Sequence, residues 1–210
     1  MAEYRALSYD RLSPDLIKGG NMPDTENKVQ FGLKNVHYAP MTGDGTYSTP
    51  VAIPGAVSLS LKEDSSVSKF YADNLLYYVS NTGNGYSGDL EMARFIDRML
   101  IDIWGFVEHS TDHTLVEYAD KNPTTFALLF EIDGDATAAK YVIYAVTAGK
   151  PDIGGETKGE STEPKTQSCT VNTQPLADGK LSARTTKSTP KSVLDGWYTK
   201  VYLPDAGGLS

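Results

Sequence analysis

The densest polar cluster in the chain is Glu108-His109-Ser110-Thr111-Asp112-His113. Two histidines four residues apart share one face of a helix and could hold a metal ion there. The HExxH arrangement is absent, no third ligand is evident, and the segment follows a helix stop. A connecting loop is the expectation, with no metal site. Asp133-Gly134-Asp135 places two carboxylates around a glycine. A calcium loop needs further oxygen donors and a distal glutamate at fixed offsets, which are missing, so the triplet reads as a tight hairpin turn. Glu91, Glu117 and Glu131 are candidates for a glycosidase pair, yet each sits on a predicted strand whose alternation points it to a solvated face. There is no GxSxG, no Walker loop and no GxGxxG opening a helix. Cys169 is the sole cysteine, so neither an internal disulfide nor a thiolate cluster can form, and its Thr/Ser-rich strand predicts an inert thiol. The residues therefore predict no catalytic group and no cofactor: the chain reads as a protein that is not an enzyme.

The elements around these residues are mostly strands. Val29, Phe31 and Leu33 alternate with polar residues, and Val36 and Tyr38 resume after a register break at Lys34-Asn35. Gly43-Asp44-Gly45 marks a turn inside a loop over 40–50. Val57, Leu59 and Leu61 alternate again until the run KEDSS (62–66) breaks the pattern. Residues 70–80 are rich in tyrosine, and NTGNG (81–85) reads as a hairpin turn. Leu90 and Met92 suit a strand end, whereas Ile96, Met99, Leu100 and Ile103 follow helical spacing up to a natural stop at Gly105. One helix over about 95–104 is expected, covering a face or edge of a sheet. Strands follow at 115–118, 124–132, 138–147, 166–173, 180–186 and 197–203, with an exposed loop over 150–163. The fold class is mainly β: a β-sandwich or partly open barrel of antiparallel strands flanked by one helix. Residues 1–26 read as a leader or arm, 27–204 as the domain, and 205–210 as a tail.

Bulk properties narrow the function. No apolar run reaches the length of a membrane-spanning helix, so no membrane partner is expected. Net charge is −8. That argues against a protein that grips nucleic acid by neutralising phosphates, but not against one that lets DNA slide past. Tyrosine is abundant, at 13 of 210 residues, which suits strands and interfaces alike.

Five phrases in order carry a resemblance: NKVQFGLKNVHYA (27–39), IPGAVSLSL (53–61), FYADN (70–74), GYSGDLEMA (85–93) and FALLFEIDGD (126–135), followed by YAVT and a closing WYTKVYLP. Together they resemble the major tail protein, or tail tube protein, of long, non-contractile-tailed bacteriophages of Gram-positive hosts, over roughly 27–204. The resemblance implies a structural virion protein, made in the bacterial cytoplasm and residing in the virion tail. Subunits would join into rings, usually of six, stacked as a tube with tape-measure and other tail proteins. Phage DNA would pass through the lumen without specific binding. Thr42, Gly43, Asp44, Gly45 and Thr46 are the candidate inter-ring contact loop, with 62–66 and the termini beside them. The resembling proteins begin near NKVQFGLKNVHYA, and Lys18-Gly19-Gly20-Asn21-Met22 back-translates to AAA-GGA-GGA-AAY-ATG, the form of a ribosome-binding site before a start codon. Met22 is thus a candidate initiator; the rival is an arm that grips the neighbouring ring. Rival functions are a carbohydrate-binding β-sandwich module and a tail adaptor protein of a phage-like particle.

Overall fold

The structure, a computed structural model, describes residues 32–72, 75–133, 139–155 and 165–204. The expectations for the leader, Met22, the tail, Gly134-Asp135 and most of the 150–163 loop lie outside them. Strand-forming alternation yields eleven strands among the described residues: β1 (Leu33–Gly43), β2 (Thr46–Tyr47), β3 (Val51–Ala52), β4 (Ala56–Ala72), β5 (Leu75–Met92), β6 (Val107–Glu108), β7 (Leu115–Val116), β8 (Phe126–Ile132), β9 (Lys140–Ala148), β10 (Gln167–Gln174) and β11 (Ser182–Arg184). Nine form one antiparallel sheet in the order β2-β1-β8-β9-β10-β5-β4, with β11 also beside β9 and β3 beside β1; β6 and β7 pair separately. The sheet curls until β1 and β4 come within 8 Å, Cα to Cα, without pairing. A mainly β, partly open architecture is therefore correct.

β8 reads FALLFEI without alternation because both its faces are covered. Phe126, Leu128 and Phe130 point into the curl with Val36, Tyr38, Leu90, Met92, Ile143 and Val171. Ala127 and Leu129 point outward, beside Ala39, Val142 and Tyr144. Each large side chain buried this way contributes about 1.5–3 kcal/mol. Two bulges keep the faces aligned. One lies in β1, where Lys34 pairs Glu131 but His37 pairs Leu129. Asn35 there takes a left-handed φ of 53°, at the register break that the sequence predicts. The other lies in β9, where Phe126 pairs Val146 but Leu128 pairs Ile143.

Helix α1 (Asp97–Trp104) seals the inner core with Met99, Ile103 and Trp104. It stops at Gly105, whose φ of 69° lets its amide bond the Ile101 carbonyl and the Phe106 amide bond that of Leu100, a left-handed cap. The Trp104 indole donates to the Gly149 carbonyl at 2.8 Å, fixing the helix to the end of β9.

Several local readings are corrected. Residues 62–66 do not break a strand but run through β4, and 81–85 are not a turn but lie inside β5, with Ser65 opposite Gly83 and Ser66 opposite Thr82. Cross-strand pairing outweighs the local turn signal there. Residues 40–50 are no extended loop: Gly43 pairs Thr46 in a tight β1–β2 hairpin. A second helix, α2 (Lys191–Gly196), joins the expected one. The final strand expected over 197–203 does not form: these residues follow α2 as turns and irregular backbone, because the Thr199 and Lys200 amides turn back onto the Gly196 carbonyl.

Candidate functional site

His109 and His113 sit in the turn joining β6 to β7, not on a helix. Each is exposed and has its own carboxylate partner: Asp112 for His109 at 3.0 Å, Glu108 for His113 at 2.6 Å. Two local hydrogen-bonded pairs thus account for the cluster. Asp112 is held below the usual carboxylate range, chiefly by the Thr114 hydroxyl. Among the described residues no group of three His, Cys, Asp or Glu side chains gathers to hold a metal ion.

The three glutamates separate. Glu91, at the end of β5, accepts from Thr166 and Ser58, which lower its pKa in that order. Glu117 pairs with Lys150. Glu131 does not face solvent as its alternation predicts: it is 6% exposed. One oxygen accepts from Asn35 Nδ2 and the other from the Tyr198 hydroxyl, both at 2.9 Å. Lys140 lies 3.8 Å from Glu131, donates to the Leu194 carbonyl at 2.9 Å and sits over the Tyr198 ring. The His37 ring stacks on that ring at 4.3 Å. This hub brings together β1, β8, β9 and the segment after α2. Its ligands are spread over more than 160 residues, so no local motif announces it; the left-handed Asn35 bulge is the only hint in sequence. Burial, then the bond to Glu131, pushes the Tyr198 hydroxyl far above its ordinary pKa. Burial likewise raises Cys169 to about 12, so its thiol stays protonated and unreactive.

Thr42, Gly43, Asp44, Gly45 and Thr46 form the exposed β1–β2 turn, with Gly45 at φ 65° beneath Leu203. A cleft of about 590 Å³ opens between this turn and the C-terminal segment, lined by Tyr47, Val193, Trp197, Lys200 and Tyr202. Tyr202, 37% exposed, stacks on the buried Trp197 ring at 5.5 Å.

The largest feature is backbone. β5 leaves β10 after the Ser87–Asn172 pair but stays paired with β4 to the Ala72–Leu75 pair. The two strands, 17 and 18 residues long, therefore continue past the sheet as a ribbon, and β4 is the terminal strand on that side. The GYSGDLE phrase lies at its root. A Cβ on Gly88 would fall 1.7 Å from the Ser60 carbonyl oxygen, and one on Gly85, at φ 121°, would fall 2.3 Å from that of Thr173. Only glycine allows these approaches. No family model and no curated protein matches the chain.

Proposed function

We propose that this chain is a structural subunit of a phage tail tube, in which copies join edge to edge into rings, usually of six, that stack around a DNA-conducting lumen. The observation that carries the reading is the β4–β5 ribbon. A two-stranded ribbon is marginal alone in water, and a long terminal strand leaves backbone donors and acceptors open to another chain. By sequence its outer part carries Phe70, Tyr71, Leu75, Leu76, Tyr77, Tyr78 and Val79, and the sheet offers no paired strand beyond β4 and β5 there. Contact with a neighbouring copy would satisfy both. The ordered phrases that resemble tail tube proteins support the same reading, as does a net charge of −8, which would keep passing DNA from adhering.

Replacing residues 66–82 by a two-glycine turn tests this. The root of the ribbon and the sheet should fold as before, while electron micrographs lose the tubes that the intact chain forms. Tubes from the shortened protein would count against the proposal. A glycan-binding module is the second reading, favoured by the half-open Tyr202 ring beside the cleft. It expects a stable monomer whose Tyr202→Ala variant loses binding on a glycan array.

A further inference from the structure

We infer that residues 190–203 form a latch that opens as a unit ahead of the barrel and thereby sets how fast subunits assemble; the second half of this statement rests on the tail-tube reading. Three observations carry it.

The first is how the segment is held. In a β-protein, ladder bonds make neighbouring elements unfold together. Among the described residues, the backbone bonds of this segment stay within it: Val193 and Leu194 to the Pro190 carbonyl, Trp197 to Leu194, Thr199 and Lys200 to Gly196. No backbone bond joins it to a strand. It is attached instead by side chains: Tyr198 to Glu131, Lys140 to the Leu194 carbonyl, and the apolar contacts of Trp197 and Val201.

The second is the quality of that attachment. Among the described residues, two buried side-chain polar atoms have no hydrogen-bond partner, the Tyr144 hydroxyl and the Trp197 indole nitrogen. Both belong to the cluster between the segment and the sheet, and none of the inner core's polar atoms is left so. The 590 Å³ cleft beside Trp197 separates the segment from the β1–β2 turn, so that flank of the segment is open to solvent. Unsatisfied groups and gaps both lower the cost of local opening.

The third is what lies beneath. Lifting the segment bares Ala39, Ala127, Leu129, Val142 and Tyr144 on the outer face of β1, β8 and β9. Alanines flatten this face, so it can take a sheet of a second copy where the latch had rested. A subunit with the latch down keeps that face covered and stays soluble. Contact with a growing end favours the open form, because only the open form offers the face.

The chain carries its own reporters, since its two tryptophans lie one in each core. Hydrogen exchange of the two indole N–H groups, followed by NMR on the full chain, tests the latch. Water reaches Trp197 Nε1 when the latch lifts and Trp104 Nε1 only when the barrel opens. Trp197 should exchange at least about 100-fold faster, with a smaller dependence on denaturant. Tyr198→Phe keeps the ring stacked on His37 but removes the hydroxyl bond to Glu131. It should speed Trp197 exchange about tenfold, leave Trp104 unchanged and shorten the lag before tubes appear. Equal exchange of both indoles would overturn the latch. Faster Trp197 exchange with an unaltered lag would overturn its role in assembly. Failure of the wild type to form tubes would remove the tail-tube reading and that role with it, whereas the indole comparison judges the latch independently.

Discussion

Tyrosines, one glutamate and two glycines dominate at the scale of single residues. Burial is the main force raising the pKa of Tyr38, Tyr47, Tyr144 and Tyr198, with Tyr144 reaching about 12. Their unfolded-state value is about 10, so above that pH the unfolded chain releases protons that the folded one keeps. The stability these phenols contribute is thus fully present below pH 10 and is lost as pH rises through 12 and beyond. Absorbance at 295 nm should show these four ionising only as circular dichroism reports unfolding; early, reversible ionisation of all tyrosines would contradict the burial. Glu131→Ala strips the acceptor from Asn35 and Tyr198 and the counter-charge from Lys140. We expect a loss of about 3 kcal/mol in urea unfolding, with Glu131→Gln losing less. Gly88→Ala should cost a similar amount, about 3 kcal/mol, because its methyl would meet the Ser60 carbonyl.

Elements show what local sequence can and cannot convey. Removing residues 42–46 should leave a folded subunit, since Tyr47 still anchors to the Tyr144 carbonyl at 3.0 Å and β1 still pairs with β8. We expect that subunit to stack poorly in electron micrographs; normal tubes would exclude the turn as an inter-ring contact. The β8–β9 hairpin, the split between β5 and α1, and the break at Lys34-Asn35 were all legible, because apolar period, glycine stops and local bulges are short-range properties. The ribbon was not. Its turn-like NTGNG run is overruled by fifteen-odd residues of pairing across β4, a non-local effect, and Lys62, Glu63, Asp64 and Ser65 are polar because that stretch of β4 is exposed. The closing WYTKVYL is no strand: Trp197 and Val201 enter the outer core from turns and irregular backbone, while Tyr198 reaches the Glu131 hub. The hub itself was illegible, since residues 35, 131, 140 and 198 meet only in three dimensions. The paired histidines and Glu117, conspicuous in sequence, resolve into surface pairs, whereas Glu131 belongs to the buried hub.

The whole molecule is a curled sheet whose inner core is closed by α1, whose outer face is covered by a side-chain-held segment, and whose β4–β5 ribbon extends past the strands beside it. Its β4 edge has no further strand beside it among the described residues, and the proposed function rests on that edge. Its charge of −8 sets subunits against one another, so assembly should quicken as salt shortens the screening distance from about 30 Å at 0.01 M to about 8 Å at 0.15 M. Light scattering at the two ionic strengths checks this, and slower growth in salt would contradict it. The most direct measurement is negative-stain electron microscopy of the purified full chain, concentrated and aged. Stacked rings or tubes with a central channel are expected. Persistent monomers, even at high concentration and with tail-initiator proteins added, would contradict the tail-tube reading.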